Sequence, residues 1–207
     1  MADRGESEQT EQLVAMAVQG DGVALNTLFA MHRAYLRRVI DLRLEDDLRS
    51  RVDLSDVIQE TLFEAARRIQ EYLDNQAVPF RIWLRRTAIE QMVNLRRRHI
   101  LAEKRNVKRE VRLPDHSSLA LAHKLLEGRP SQILHKQEQA QQVRTAIAEM
   151  GELDREMLLL RHIEELTNQE IAAVLEIDTS TASQRYGRAL RRFRDKLISM
   201  GLSGGSD

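Results

Sequence analysis

Leu166-Thr167-Asn168-Gln169-Glu170-Ile171-Ala172-Ala173-Val174-Leu175-Glu176-Ile177-Asp178-Thr179-Ser180-Thr181 opens the segment that decides the fold, and Ala182 to Phe193 completes it. Thr167 and Glu170 have the three-residue spacing of a capping box, in which hydroxyl and carboxylate each satisfy a free backbone amide. A short helix follows, with Ile171, Val174 and Leu175 turned inward. Glu176-Ile177-Asp178 makes a tight break, and Thr179 or Ser180 can start a final helix. Short helix, three-residue turn and longer helix is the helix-turn-helix layout. Should the turn need a positive φ at Glu176, that residue costs on the order of 1 kcal/mol there.

The final helix has two unlike faces. Ala182, Tyr186, Leu190, Phe193 and Leu197 form an apolar stripe that must face a core. Thr181, Gln184, Arg185, Arg188 and Arg191 lie opposite. Recognition helices meet base edges with their N-terminal residues and phosphates with flanking cations. Ser180, Thr181, Ser183, Gln184 and Arg185 are therefore candidate base contacts, and Thr179 is a further DNA-binding candidate at the start of the helix. Arg188, Arg191 and Arg192 are candidate phosphate clamps. A basic surface helix with no partner is the plainer reading, and the cap together with this polarity favours DNA.

Outward from this segment, nearly everything reads as helix. Only three prolines occur, and no stretch alternates apolar and polar residues. Gly20-Asp21-Gly22 precedes a helix from about 23 to 43, with Leu25, Leu28, Phe29, Tyr35, Leu36 and Val39 on its apolar side. Asp53 or Ser55 can cap a helix to about Tyr72, carrying Val57, Ile58, Leu62, Ala65, Ala66 and Ile69. Pro79 opens another, with Phe80, Trp83, Leu84, Ala88, Met92 and Leu95 before Arg96-Arg97-Arg98. The pattern fades over 100–130, apart from room for one short helix near 118–127, and resumes with Ile133, Ala140, Val143, Ile147 and Met150. Asp154 can cap a helix containing Met157 to Leu160. The fold expected is all-α, two helical domains joined by a flexible linker. A partly disordered extension spans 1–22, the first domain 23–99, the linker 100–130, the second domain 131–200 and a disordered tail 201–207.

With 207 residues, 42% hydrophobic and 31% charged, the chain can bury cores. Its 32 basic and 32 acidic residues cancel, but they are segregated. Residues 1–80 hold 9 basic and 15 acidic side chains, whereas 81–112 hold 11 and 3. Residues 113–130 are neutral; 131–207 hold 10 and 12, and within them 179–198 carry six cations against Asp195 alone. Two compact basic stretches in acidic surroundings suit two separate polyanion contacts. No apolar run approaches a membrane span and no signal-peptide core opens the chain, so a cytoplasmic protein without membrane insertion is expected. Cysteine is absent, which removes disulfides and thiol chemistry.

Three motifs in order resemble the extracytoplasmic-function (ECF) sigma factors, small two-domain members of the sigma-70 family. Asp53-Leu54-Ser55-Asp56-Val57-Ile58-Gln59-Glu60-Thr61-Leu62-Phe63 is similar to the acidic helix that docks on the polymerase clamp. The resemblance assigns core-polymerase binding to Asp53, Asp56, Gln59, Glu60 and Phe63. Phe80-Arg81-Ile82-Trp83-Leu84, continuing to Asn94-Leu95-Arg96-Arg97-Arg98, resembles the helix that opens and reads the −10 promoter element. Arg81, Trp83, Arg86, Glu90, Asn94, Arg96, Arg97 and Arg98 are the −10 candidates it implies. Leu166 to Phe193 resembles the reader of the −35 element. Core RNA polymerase and promoter DNA are the partners implied, and an anti-sigma factor is implied by the resemblance alone. Melted bases stack on aromatic rings, but Phe80 and Trp83 read first as core residues.

Three positions depart from the family pattern. Glu90 stands where asparagine is usual, Asn94 where aspartate commonly precedes the basic run, and Glu176 where the turn often has glycine. An acid near melted DNA is repulsive, so Glu90 implies an unusual −10 preference.

No enzyme is read from this chain, and no cofactor. It has no phosphate-binding loop or Gly-rich dinucleotide loop. Its six histidines (32, 99, 116, 123, 135 and 162) lack metal-ligand spacing. The rival function is a helix-turn-helix transcriptional regulator with an N-terminal sensing or dimerising domain. Residues 53–63 discriminate, because a sensor has no need of that motif. A helical adaptor binding only proteins is the third reading, and salt-dependent DNA binding would exclude it.

Overall fold

The computed structural model describes residues 2–102, 115–126 and 133–201, and among them every regular element is a helix. The chain divides into two compact units, residues 1–112 and 113–207.

In the first unit, α1 (Ala2–Val18), α2 (Gly22–Arg43), α3 (Asp46–Arg49), α4 (Leu54–Arg67), α5 (Ile69–Asp74) and α6 (Phe80–Ala102) follow one another. Local chemistry sets the boundaries. Gly20, at φ 92°, takes the left-handed turn between α1 and α2. The Asp21 carboxylate then accepts the Val23 and Ala24 amides at 2.8 and 3.0 Å, capping α2. The helix expected to run from residue 53 to Tyr72 breaks at Arg68 (φ −104°, ψ 7°) into α4 and α5. Pro79 lacks an amide to lose, and its carbonyl accepts the Ile82 and Trp83 N–H groups that open α6. The core joins α2, α4 and α6 through Leu28, Leu36, Val39, Ile40, Val57, Ile58, Ile82, Leu84 and Ala88. Each large aliphatic side chain there contributes about 2 kcal/mol by leaving water.

Within the extension expected to be partly disordered, residues 2–18 form α1. Helix α1 packs on α2 and α5, with Val14 1% and Thr10 7% exposed. Thr10, Leu13, Val14 and Ala17 fall on one helical face at i, i+3, i+4 and i+7. The surrounding Glu and Gln residues obscure that stripe in the composition.

The second unit contains α7 (Asp115–Leu126), α8 (Ile133–Ala148), α9 (Glu152–His162), α10 (Asn168–Leu175) and α11 (Thr179–Ser199). The expected linker, 100–130, holds α7, and this helix is part of the second unit. It packs on α8 and α9 and buries Ser117, Leu121 and Ala122. The remaining linker residues, 103–114 and 127–132, and the expected tail from 202 lie outside the described residues. Met157, Leu158, Leu159 and Leu160 are all buried. Four consecutive buried residues require neighbours on every side of a helix. Helix α9 has them in α7, α10 and α11, so it is the axis on which the helix-turn-helix is mounted.

Candidate functional site

Helix α4 carries the first candidate face. Asp53 is its N-cap, accepting the Ser55 amide at 2.7 Å. Val57, Ile58, Thr61, Leu62 and Ala65 are buried and fix the helix. Asp56, Gln59, Glu60 and Phe63 are then exposed along the opposite side. Phe63 leaves 67% of its surface in water. A bare phenyl ring flanked by carboxylates and an amide suits a partner with an apolar notch and cations around it.

Helix α6 carries the second face. Phe80 is core, 3% exposed, in ring contact with His32, Tyr72 and Trp83. Trp83 is half-buried, with its ring 5.3 Å from Tyr72 and 5.5 Å from Phe80. The Arg81 guanidinium sits 4.8 Å above the Tyr35 ring. Burial first, and the charge of Arg81 second, lower the His32 pKa to about 4, so this imidazole is neutral in the fold.

The basic run of α6 is partly engaged within its own unit. Arg96 pairs with Glu45 at 2.8 Å and Arg98 with Glu60 at 3.0 Å. Arg86, Asn94 and Arg97 are exposed. Glu90, the acid that departs from the family pattern, receives the Arg68 guanidinium at 2.7 Å. Arg68 also reaches Glu71 at 3.1 Å, and these two carboxylates raise its pKa. Arg68 thus offsets the charge of Glu90 on this face. Motif spacing along one helix could not reveal it, because the partners are 22 positions apart.

The third face is the helix-turn-helix. Thr167 and Glu170 form the capping box: the Thr167 hydroxyl accepts the Glu170 amide at 3.2 Å, and Glu170 accepts the Thr167 amide at 2.9 Å. Glu176 ends α10 at φ 54°, ψ 45°, the left-handed conformation considered for it. Asp178, rather than Thr179 or Ser180, caps α11 and accepts the Thr181 amide at 2.7 Å. Its position ahead of Thr179-Ser180-Thr181 was the available signal, since aspartate is a preferred N-cap.

Helix α11 buries Ala182, Ala189 and Phe193, while Tyr186, Leu190 and Leu197 are half-buried. The buried stripe is thus turned toward Ala189, which the spacing argument omitted. The Tyr186 hydroxyl meets His162 Nε2 at 3.1 Å, and Arg161 lies 5.7 Å from the Tyr186 ring centroid. These contacts tie the middle of α11 to α9. Thr179, Ser180, Ser183, Gln184, Arg188 and Arg191 are exposed, with Thr181 and Arg185 half-buried. Arg192 is held by Asp154 at 2.6 Å and Lys196 by Glu149.

Two family models match, in chain order, on these same elements. Residues 28–100 match Sigma-70 region 2, and residues 140–193 match Sigma-70, region 4. The chain belongs to the sigma-70 family. Region 2 begins inside α2 and ends inside α6, and region 4 runs from α8 to Phe193 of α11. Helices α1 and α7 lie outside both matches. The sigma-H factor of Pseudomonas aeruginosa is 28% identical over 199 residues, covering 92% of this chain and 94% of that protein. The sigma factor FliA of Salmonella typhimurium is 39% identical over 75 residues, and the match covers 28% of its length. The chain therefore spans only about a quarter of FliA. The fold is similar to that of CnrH, solved in complex with the cytosolic domain of CnrY. That likeness has a TM-score of 0.56 and 22% identity, over 92% of this chain and 98% of the other. Among the described residues no helix is long and apolar enough to cross a membrane.

Proposed function

We propose that this sigma-70 family chain is an RNA polymerase sigma factor of the two-domain ECF type. It binds core polymerase through α4, engages the −10 element with α6, and places α11 in the major groove at −35. The observation that carries this reading is the exposed Phe63 among Asp53, Asp56, Gln59 and Glu60 in one unit, beside a capped helix-turn-helix with a basic second helix in the other. A regulator with a sensing domain has no use for the first of these. The chain performs no covalent chemistry in this reading, since polymerase makes the RNA, and it works in the cytoplasm. An anti-sigma factor with an acidic face belongs to the same proposal.

Reconstituted transcription with bacterial core polymerase, over promoters randomised at −35 and −10, tests it. Initiation from one recurring pair of elements is expected. Promoter binding without polymerase, and no initiation with it, would favour the regulator.

A further inference from the structure

Asp178 stands one residue before α11 and holds three donors on two oxygens. Its Oδ1 accepts the Thr181 amide at 2.7 Å and the Ser180 hydroxyl; its Oδ2 accepts the Thr181 hydroxyl at 2.7 Å. An ionised carboxylate only accepts, so both hydroxyl protons must point into Asp178. The Ser180 hydroxyl, then the hydroxyl and amide of Thr181, keep this carboxyl far below the usual carboxylate range. Asp178 is therefore ionised throughout the pH range of living cells.

A hydroxyl has one proton to give. With it committed to Asp178, Ser180 and Thr181 can offer only lone pairs to anything outside. The ionised carboxylate also fills the helix start that a phosphate would otherwise take, which leaves a base edge as the natural partner. In the major groove, only adenine N6 and cytosine N4 carry donors, whereas guanine O6 and N7 and thymine O4 are acceptors. Gln184 and Arg185, one turn on, bring N–H donors, so the two turns of α11 differ in hydrogen-bond polarity.

We infer that Asp178 is a specificity-determining residue of the −35 reader. By taking the protons of Ser180 and Thr181, it makes the first turn of α11 an acceptor-only surface. That surface selects adenine or cytosine on the strand it faces and disfavours guanine and thymine. The inference rests on the reading of α11 as the −35 helix.

Asp178→Asn tests it in full-length protein with core polymerase over the −35 library. Asparagine caps helices as well as aspartate, but its amide group donates, which frees a hydroxyl to turn its proton outward. The natural protein should prefer adenine or cytosine over guanine or thymine by roughly tenfold at one or two positions. The variant should lose that preference there and keep the remainder of its −35 sequence, with unchanged thermal unfolding. An unchanged preference at those positions overturns the inference. Should the variant lose the −35 element altogether, Ser180→Ala with Thr181→Val decides: survival of the adenine or cytosine preference overturns the inference, and its disappearance alone supports it. Failure to select any −35 sequence with the natural protein would instead sink the sigma-factor reading.

Discussion

The Arg98 guanidinium donates to the Glu60 carboxylate at 3.0 Å, across 38 positions of sequence. The pair joins the candidate polymerase face of α4 to the candidate −10 face of α6. Both side chains are more than half exposed, so water and salt leave little net attraction between them. Charge reversal at Asp56 and Glu60 should therefore abolish binding to core polymerase in a pull-down. Thermal stability should change by no more than about 1 kcal/mol. Retained core binding would remove α4 from the interface.

Phe63→Ser makes a sharper case. The residue is 67% exposed, so the unit loses little burial when the ring is removed. Affinity for core polymerase should fall by about 2 kcal/mol or more, as expected for an aromatic anchor. Isothermal titration of both proteins into the same polymerase preparation measures it. Equal affinities would show that the ring stays in water.

Glu176→Gly should stabilise the second unit. Glycine adopts φ 54° without the cost a Cβ brings, on the order of 1 kcal/mol. For a unit of this size that raises the melting temperature by about 4–8 °C. A lower melting temperature would mean that contacts of the Glu176 side chain outweigh its backbone strain.

The first unit should weaken in acid through His32. Its folded pKa, about 4, lies below the ordinary 6.5, so the unfolded chain takes up this proton first. Stability from this group is complete above about pH 6.5 and is lost as pH falls toward 4, to a total on the order of 3 kcal/mol. Urea unfolding followed by Trp83, the single tryptophan, reports this unit, and His32→Gln should flatten that pH window. The same slope in both proteins would assign the acid sensitivity elsewhere.

What could be read from the sequence was local. Thr167 and Glu170 announced their cap because three residues separate them, and the charge faces of α4 and α11 follow from helical period. Distant partners were hidden. Nothing in the run Arg96-Arg97-Arg98 distinguishes the two that meet Glu45 and Glu60. Helix α7 was legible as a short helix near 118–127, but its packing on α8 and α9, elsewhere in the chain, was not. Ala189 was passed over because alanine adds little to an apolar stripe, yet it is fully buried. There a small side chain is what close packing needs.

The bonds from Arg192 to Asp154 and from Lys196 to Glu149 reach beyond packing. An exposed cation paired with a carboxylate of its own protein must give up that pair before it takes a DNA phosphate, so it adds less to phosphate binding than a lone cation does. Residues 179–198 carry six cations; together they would make log K fall by about 5 per decade of salt, and the two paired ones draw that slope down toward about 4. The helix is thus less of a general polyelectrolyte than its composition implies. On the reading of α11 as the −35 helix, a larger share of its grip on a promoter comes from base edges, whose contribution ionic strength erodes less.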